Sequence, residues 1–529
     1  MAAKKVSLIL VLSISTLVAA CGSDDAGVET SESSDATVES APTEGSDTTA
    51  TAGTEPADST TIEPTDEPTE ESTDAWPTPS IEWTECGDNI ECGTVEVPID
   101  YSDPDSDTIE LALARHLALD SDARIGSLLV NPGGPGFGGT VLALSAANIY
   151  SSRILARFDV VGFDPRGTGS STPAIDCIDD YDLFSAGDIT PDTDAERQEL
   201  VDAARDFTDL CFEKNGDLLP HVGTNNVARD MDMIRRALGE EKISYFGFSY
   251  GSELGATWAT LFPSTVRAAV LDGAADPTAD SDEGSRQQIA GFEQSIATFL
   301  AQCSNDDGCA IHNDGDAEGA FDALMADLDE NPIPTDAGRP DLTRGMALTA
   351  VAQAMYDDGY WPTLEVALAD AIDGDGSGLL ELWDAYFQRM PDGTYGNELE
   401  AFVNILCADD PERKTIEEAD AVADTFRAAG PRFSPGTTGN YGCTFWPAAI
   451  DPRVVITGKG AGPILVIGTT GDAATPLEST RNMVKALEDG RLIVADAEQH
   501  TGYNTSLCVN DAVDSYLIDL EAPDSQLDC

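Results

Sequence analysis

The chain has 529 residues, 41% of them hydrophobic, and a formal net charge of −69. That length and apolar share support one large domain with an insertion, or two domains. The charge excludes a nucleic-acid binder, because phosphate backbones need a basic surface. The acidity runs along the whole chain, which suits solubility in salty surroundings better than a single site for cationic substrates.

The first elements concern export. Lys4 and Lys5 precede an apolar stretch over residues 6–18 that is short for a membrane span, so residues 1–20 read as an export signal. Val18-Ala19-Ala20-Cys21 resembles a bacterial lipobox, which implies cleavage before Cys21 and a membrane anchor of diacylglycerol on its thiol. The count of 11 cysteines agrees: with Cys21 set aside, ten remain for five bridges in an oxidising compartment. Spacing pairs neighbours: Cys86–Cys92, Cys177–Cys211, Cys303–Cys309, Cys407–Cys443 and Cys508–Cys529. No C-x-x-C occurs and the four histidines are scattered, so no metal site is expected. Residues 21–80 hold the lipidated cysteine and a Ser/Thr/Pro-rich acidic stretch that cannot bury a core, and they read as a disordered linker.

The ordered body is expected over residues 81–276 and 448–529. Residues 94–98 and 109–114 read as an early antiparallel pair. Residues 126–130, 158–163, 243–246, 267–271, 463–468 and 491–494 read as buried strands, and residues 227–238 have helical periodicity. Apolar runs alternating with helices predict an α/β fold, a mostly parallel sheet with helices on both faces. Residues 277–447 break the alternation. They look helical and are expected to form a lid over the C-terminal edge of the sheet, where sites of this class lie.

The chemistry starts at Gly247-Phe248-Ser249-Tyr250-Gly251, between the strand 243–246 and a helical stretch. A strand, a tight G-x-S-x-G turn and a helix form a nucleophile elbow, and flanking side chains would collide with its neighbours. Ser249 is the expected nucleophile. A serine needs a base, and His500, in the loop after the last strand, is favoured over His116, His221 and His312. Asp472, after the strand 463–468, is the expected acid because it completes the chain order Ser, Asp, His; Asp272 is the alternative. The oxyanion donors expected are the backbone N–H groups of Tyr250 and of Gly134, in the loop Asn131-Pro132-Gly133-Gly134-Pro135-Gly136. That loop lacks the Lys-Ser/Thr ending of a phosphate cradle. No cofactor is implied.

Together these motifs resemble the secreted actinobacterial tripeptidyl aminopeptidases, relatives of prolyl aminopeptidase among the α/β-hydrolases. The resemblance spans nearly the whole ordered body. It rests on the loop 131–139, Gly162-Phe163-Asp164-Pro165-Arg166-Gly167-Thr168-Gly169-Ser170-Ser171, the elbow, residues 271–277, Cys443-Thr444-Phe445-Trp446-Pro447 and the end from Gly471 to Cys529. It implies a serine peptidase that removes short peptides from free N-termini, and it supports the Cys508–Cys529 pairing. Two positions depart from the family pattern: Gln499-His500-Thr501 replaces Gly-His-Gly, and Glu253 stands where an aromatic residue is usual. Glu253 is read as facing solvent on the helix. An aminopeptidase also needs an anion for the substrate's ammonium, and Asp409 and Asp410 are candidates. Arg166 is read either as an orienter of the oxyanion loop or as a structural turn residue. The alternatives to a peptidase are a carboxylesterase with the same triad, or a binding lipoprotein without turnover.

Overall fold

Ten strands make one sheet in the computed structural model, which describes residues 70–529 apart from 179, 180, 188, 437 and 438. The expected signal, Cys21 and most of the linker lie outside the described residues. The strands are β1 (Thr84–Gly87), β2 (Ile90–Pro98), β3 (Thr108–His116), β4 (Gly126–Asn131), β5 (Phe158–Phe163), β6 (Ile243–Phe248), β7 (Val266–Asp272), β8 (Ile464–Thr469), β9 (Gly490–Ala495) and β10 (Gln526–Asp528). Their order is β1-β2-β3-β5-β4-β6-β7-β8-β9-β10. The β1–β2, β2–β3 and β3–β5 pairs are antiparallel and the rest parallel.

Burial explains the apolar runs. Every residue of β4, β5 and β8 is buried, as parallel strands covered on both faces require. Successive residues point to opposite faces. Leu129, Val161, Tyr245 and Leu271 pack with Met231, Leu254 and Trp258, which come from helices Thr224–Ala237 and Tyr250–Leu261. Leu128, Val160, Phe246 and Val270 pack on the other side with Val513 and Leu517 of helix Leu507–Asp519.

Between β7 and β8 the described chain is largely helical, with Ser281–Asn305, Ala317–Glu330, Arg344–Met355, Trp361–Ile372, Ser377–Tyr386 and Glu398–Asp409 as its longest helices. This insertion has its own core around Phe321, Leu364 and Trp383, which reaches Ala473 and Ala474 beyond β8. The five expected disulfides are all present.

Two strands and one boundary differ from expectation. β1 and β10 are short, four and three residues, too short for any periodicity to announce them. Each is tied down by a bridge, Cys86–Cys92 and Cys508–Cys529. The linker was expected to run to residue 80, but residues 70–80 pack on the body. Glu71 pairs with Arg229 at 2.7 Å, Thr73 hydrogen-bonds Asp232 at 2.5 Å, and Trp76 meets Tyr101 edge-on. A polar composition hid partners that lie on a distant helix.

Arg166 is structural. Its guanidinium is wholly buried and pairs with Asp230, with Nε to Oδ2 at 2.8 Å and Nη2 to Oδ1 at 2.6 Å. The remaining donors reach the carbonyls of Pro98, Ile99 and His221. Arg166 therefore ties the end of β2 to helix Thr224–Ala237 and has no donor left for the oxyanion loop.

Candidate active site

Ser249 follows β6 with φ 54° and ψ −126°, a backbone that non-glycine residues rarely adopt. Its N–H donates to Asp272 O at 2.8 Å, which sets the turn against the end of β7. The flanking glycines are sterically required: a Cβ on Gly247 would lie 2.2 Å from Gly251 O. The loop after β4 comes equally close. A Cβ on Gly133 would lie 2.8 Å from that of Ser249 and 3.1 Å from Tyr250 N. Among the described residues, neither Gly134 N nor Tyr250 N donates a hydrogen bond to another group.

His500 sits in the loop after β9. Its Nδ1 lies 2.9 Å from Asp472 Oδ1. The same carboxylate accepts from Ala474 N at 2.9 Å, Thr475 N at 2.8 Å and Thr475 Oγ1 at 3.0 Å, so it is fixed before the imidazole meets it. His500 Nε2 is buried and has no hydrogen-bond partner among the described residues. The ring stands beside the elbow, since a Cβ on Gly273 would be 3.2 Å from its Cε1, and Gly273 follows the Asp272 carbonyl that holds Ser249. Burial opposes protonation of the imidazole. The charge and hydrogen bond of Asp472, with the charge of Asp272, outweigh it and raise its pKa above the ordinary 6.5.

Asp272 has a different task. Its carboxylate accepts from Gly502 N at 2.7 Å and Tyr503 N at 2.8 Å, anchoring the loop that carries His500. Burial pushes its pKa up to about 6. The insertion grips the same loop, with His500 N donating to Tyr356 O at 2.9 Å and the Tyr356 ring edge-on to the imidazole at 5.4 Å.

Of the other histidines, His116 lies buried in β3, His221 ends a short helical turn and His312 bonds Cys303 O. Asp409 is buried, and both its oxygens face Thr224, with Thr224 N at 2.7 Å and Thr224 Oγ1 at 2.5 Å. Asp410 caps the end of helix Glu398–Asp409 and accepts from Glu412 N at 2.8 Å.

The solvent-facing reading of Glu253 is corrected. Every residue of helix Tyr250–Leu261 is buried, and Glu253, 8% exposed, forms an ion pair with Arg453. A buried carboxylate needs a partner, and this one lies 200 positions downstream, beyond the reach of any local pattern.

Residues 126–314 match the family model described as alpha/beta hydrolase fold, and residues 431–529 match the model described as TAP-like protein. Serine protease Hip1 of Mycobacterium tuberculosis is 36% identical over 479 residues, covering 85% of this chain and 91% of that one. This chain belongs to the α/β-hydrolase family. Two further relatives match this hydrolase over a similar span. Carboxylesterase B of Mycobacterium tuberculosis is 35% identical, covering 85% of this chain and 90% of its own, and tripeptidyl aminopeptidase of Streptomyces lividans is 33% identical, covering 83% and 84%. The resemblance seen in the motifs therefore holds across the body of the hydrolase. Sequence reading missed Thr224, Tyr356 and Arg453 in this α/β-hydrolase. Their roles come from tertiary contacts, and none carries a motif.

Proposed function

We propose that this α/β-hydrolase is an exported serine peptidase that removes short peptides, tripeptides among them, from free N-termini. The carrying observation is the Asp472–His500 hydrogen bond at 2.9 Å, with the opposite nitrogen, Nε2, buried and unpartnered beside the Ser249 turn. In the proposed mechanism Ser249 Oγ attacks the scissile carbonyl carbon and gives its proton to His500 Nε2. Asp472 holds the tautomer with the proton on Nδ1 and stabilises the imidazolium that forms. The N–H groups of Gly134 and Tyr250 receive the oxyanion. His500 then protonates the leaving amine, and water, activated by the same imidazole, hydrolyses the acyl-enzyme.

A fluorophosphonate probe on the purified protein tests the nucleophile, and release of tripeptide against single-residue amide fluorophores tests the specificity. A second reading, a carboxylesterase, is favoured by the 35% identity to carboxylesterase B. Labelling with cleavage of acyl esters alone would select it, and no labelling would leave a binding lipoprotein.

The base must be neutral to accept a proton. Because its pKa lies above 6.5, kcat/KM is expected to rise with pH through a midpoint above that value. A pH–rate profile with its acid limb centred below 6 would contradict the assignment. Asp410 remains the candidate partner of the substrate's ammonium. Asp410→Ala is expected to raise KM for free-amine peptides by about twofold to fivefold and to leave simple esters unaffected. Equal changes on both substrates would dismiss the role.

Export and lipidation at Cys21 rest on the leader and on five disulfides, which suit an oxidising compartment. No helix among the described residues is long and apolar enough to cross a membrane. On this reading residues 277–447 act as a lid that selects substrates. The mass of the mature N-terminal peptide tests the anchor.

A further inference from the structure

Helix Thr224–Ala237 begins at Gly223, which offers no side chain to cap it. The cap comes from the insertion. Thr224 N donates to Asp409 Oδ1 at 2.7 Å, and Thr224 Oγ1 donates to Asp409 Oδ2 at 2.5 Å. The fit depends on Gly223, because a Cβ there would stand 2.8 Å from Asp409 Oδ1. Thr224 Oγ1 also makes a short hydrogen bond with the phenol of Tyr250, the residue after Ser249. All three side chains are buried. A threonine has one hydroxyl proton. When that proton goes to the carboxylate, the oxygen accepts from the phenol, and the chain Tyr250, Thr224, Asp409 acquires one direction.

The opposite end of the same helix, Glu398–Asp409, covers the loop of Gly134. A Cβ on Gly136 would lie 2.7 Å from Glu398 O and 2.8 Å from Phe402 N. One helix thus touches the loop of Gly134 directly and reaches the Tyr250 segment through Thr224.

We propose that Asp409 is a positioning residue for the nucleophile turn: acting through Thr224, it fixes the Tyr250 side chain and thereby the Tyr250 N–H beside Ser249. The proposal rests on the reading of Ser249 as nucleophile. A turn with φ 54° persists only where its surroundings over-determine it, and this chain of bonds supplies such support from a segment far away in sequence. Burial and the charge of Glu253 push Asp409 up to about 7, while the Thr224 bonds and Arg453 act in the opposite sense. The Tyr250 phenol also faces the cluster from the elbow helix. Above neutral pH the carboxylate is ionised and the chain has its single direction. Below it the proton on Asp409 competes with that of Thr224.

The test uses Asp409→Asn, Thr224→Val, Thr224→Ser and the double variant Asp409→Asn/Thr224→Val. The readouts are the rate of fluorophosphonate labelling, and kcat and KM on an acyl ester and on a free-amine tripeptide amide. Asp409→Asn and Thr224→Val are each expected to slow labelling and kcat about tenfold to a hundredfold on both substrates. KM should stay within about twofold. The double variant should be no slower than the worse single one, and Thr224→Ser, which keeps the hydroxyl, should recover most of the rate. Asp409→Asn should also remove one ionisation from the acid limb of labelling. A KM increase confined to free-amine substrates would overturn the proposal in favour of amine binding. Unchanged rates with only a lower denaturation midpoint would reduce Asp409 to a helix cap. Absence of labelling in the wild-type protein would instead sink the reading of Ser249, and this proposal with it.

Discussion

Ser249→Ala is expected to lower kcat by about 10⁶-fold, the loss typical when one member of a cooperating triad is removed, with the fold unchanged. The reason is that no neighbouring group can replace the attacking oxygen. His500 and Asp472 are held by other bonds and would keep their places, since Asp472 accepts from Ala474 N and Thr475 N and His500 N donates to Tyr356 O. The remaining rate would come from the oxyanion donors and substrate binding alone. Fluorophosphonate labelling should vanish with it, and labelling that persists would place the nucleophile elsewhere. The backbone provides a second, independent readout. Ser249 has φ 54° and ψ −126°, a strain of order 1–3 kcal/mol for a residue with a Cβ. Alanine inherits that strain and glycine relieves it. Ser249→Gly should therefore be equally inactive and yet more stable than Ser249→Ala by roughly 1 kcal/mol, read from chemical denaturation.

The largest expected loss of stability follows from Arg166→Met, at about 3–5 kcal/mol. Both partners of the Arg166–Asp230 pair have no exposed side-chain surface. Removing the guanidinium leaves a buried carboxylate that, among the described residues, only Tyr101 Oη, at 2.7 Å, still serves, and it strips the Pro98, Ile99 and His221 carbonyls of a donor. Pairing the change with Asp230→Leu should recover part of the loss, because the stranded charge is then gone. Equilibrium denaturation of both variants checks this. A single variant within 1 kcal/mol of wild type would mean that water replaces the guanidinium. Arg166 lies in the segment that carries the family resemblance. Its contacts give it a structural task, holding the strand end and the helix on which the Thr224 cap is built.

What was legible in the sequence was whatever local pattern encodes. The strands from 94–98 to 491–494 could be read because a sheet buried on both faces demands apolar runs, and β4, β5 and β8 are buried at every residue. Ser249 was legible because the close approach of strand and helix forces glycines on either side of it. The five disulfides followed from neighbour spacing. β1 and β10 were not legible, since a strand of three or four residues has no period to detect, and their places are secured by bridges and by register with β2 and β9.

The sequence by itself therefore determined the fold class, the tight turn that carries Ser249 and the short list from which His500 and Asp472 were proposed. Each of these depends on steric or hydropathic constraints that act within a few residues. Only the folded chain shows that Asp472, just beyond β8, faces Nδ1 of His500 while Asp272, at the end of β7, holds the loop behind it. Tertiary structure also decided that Glu253 lies inside against Arg453, that Asp409 faces Thr224, and that Arg166 is tied to Asp230. A buried charge must find its partner wherever the chain brings one, and these partners stand 200, 185 and 64 positions apart, distances over which sequence carries no local trace of contact.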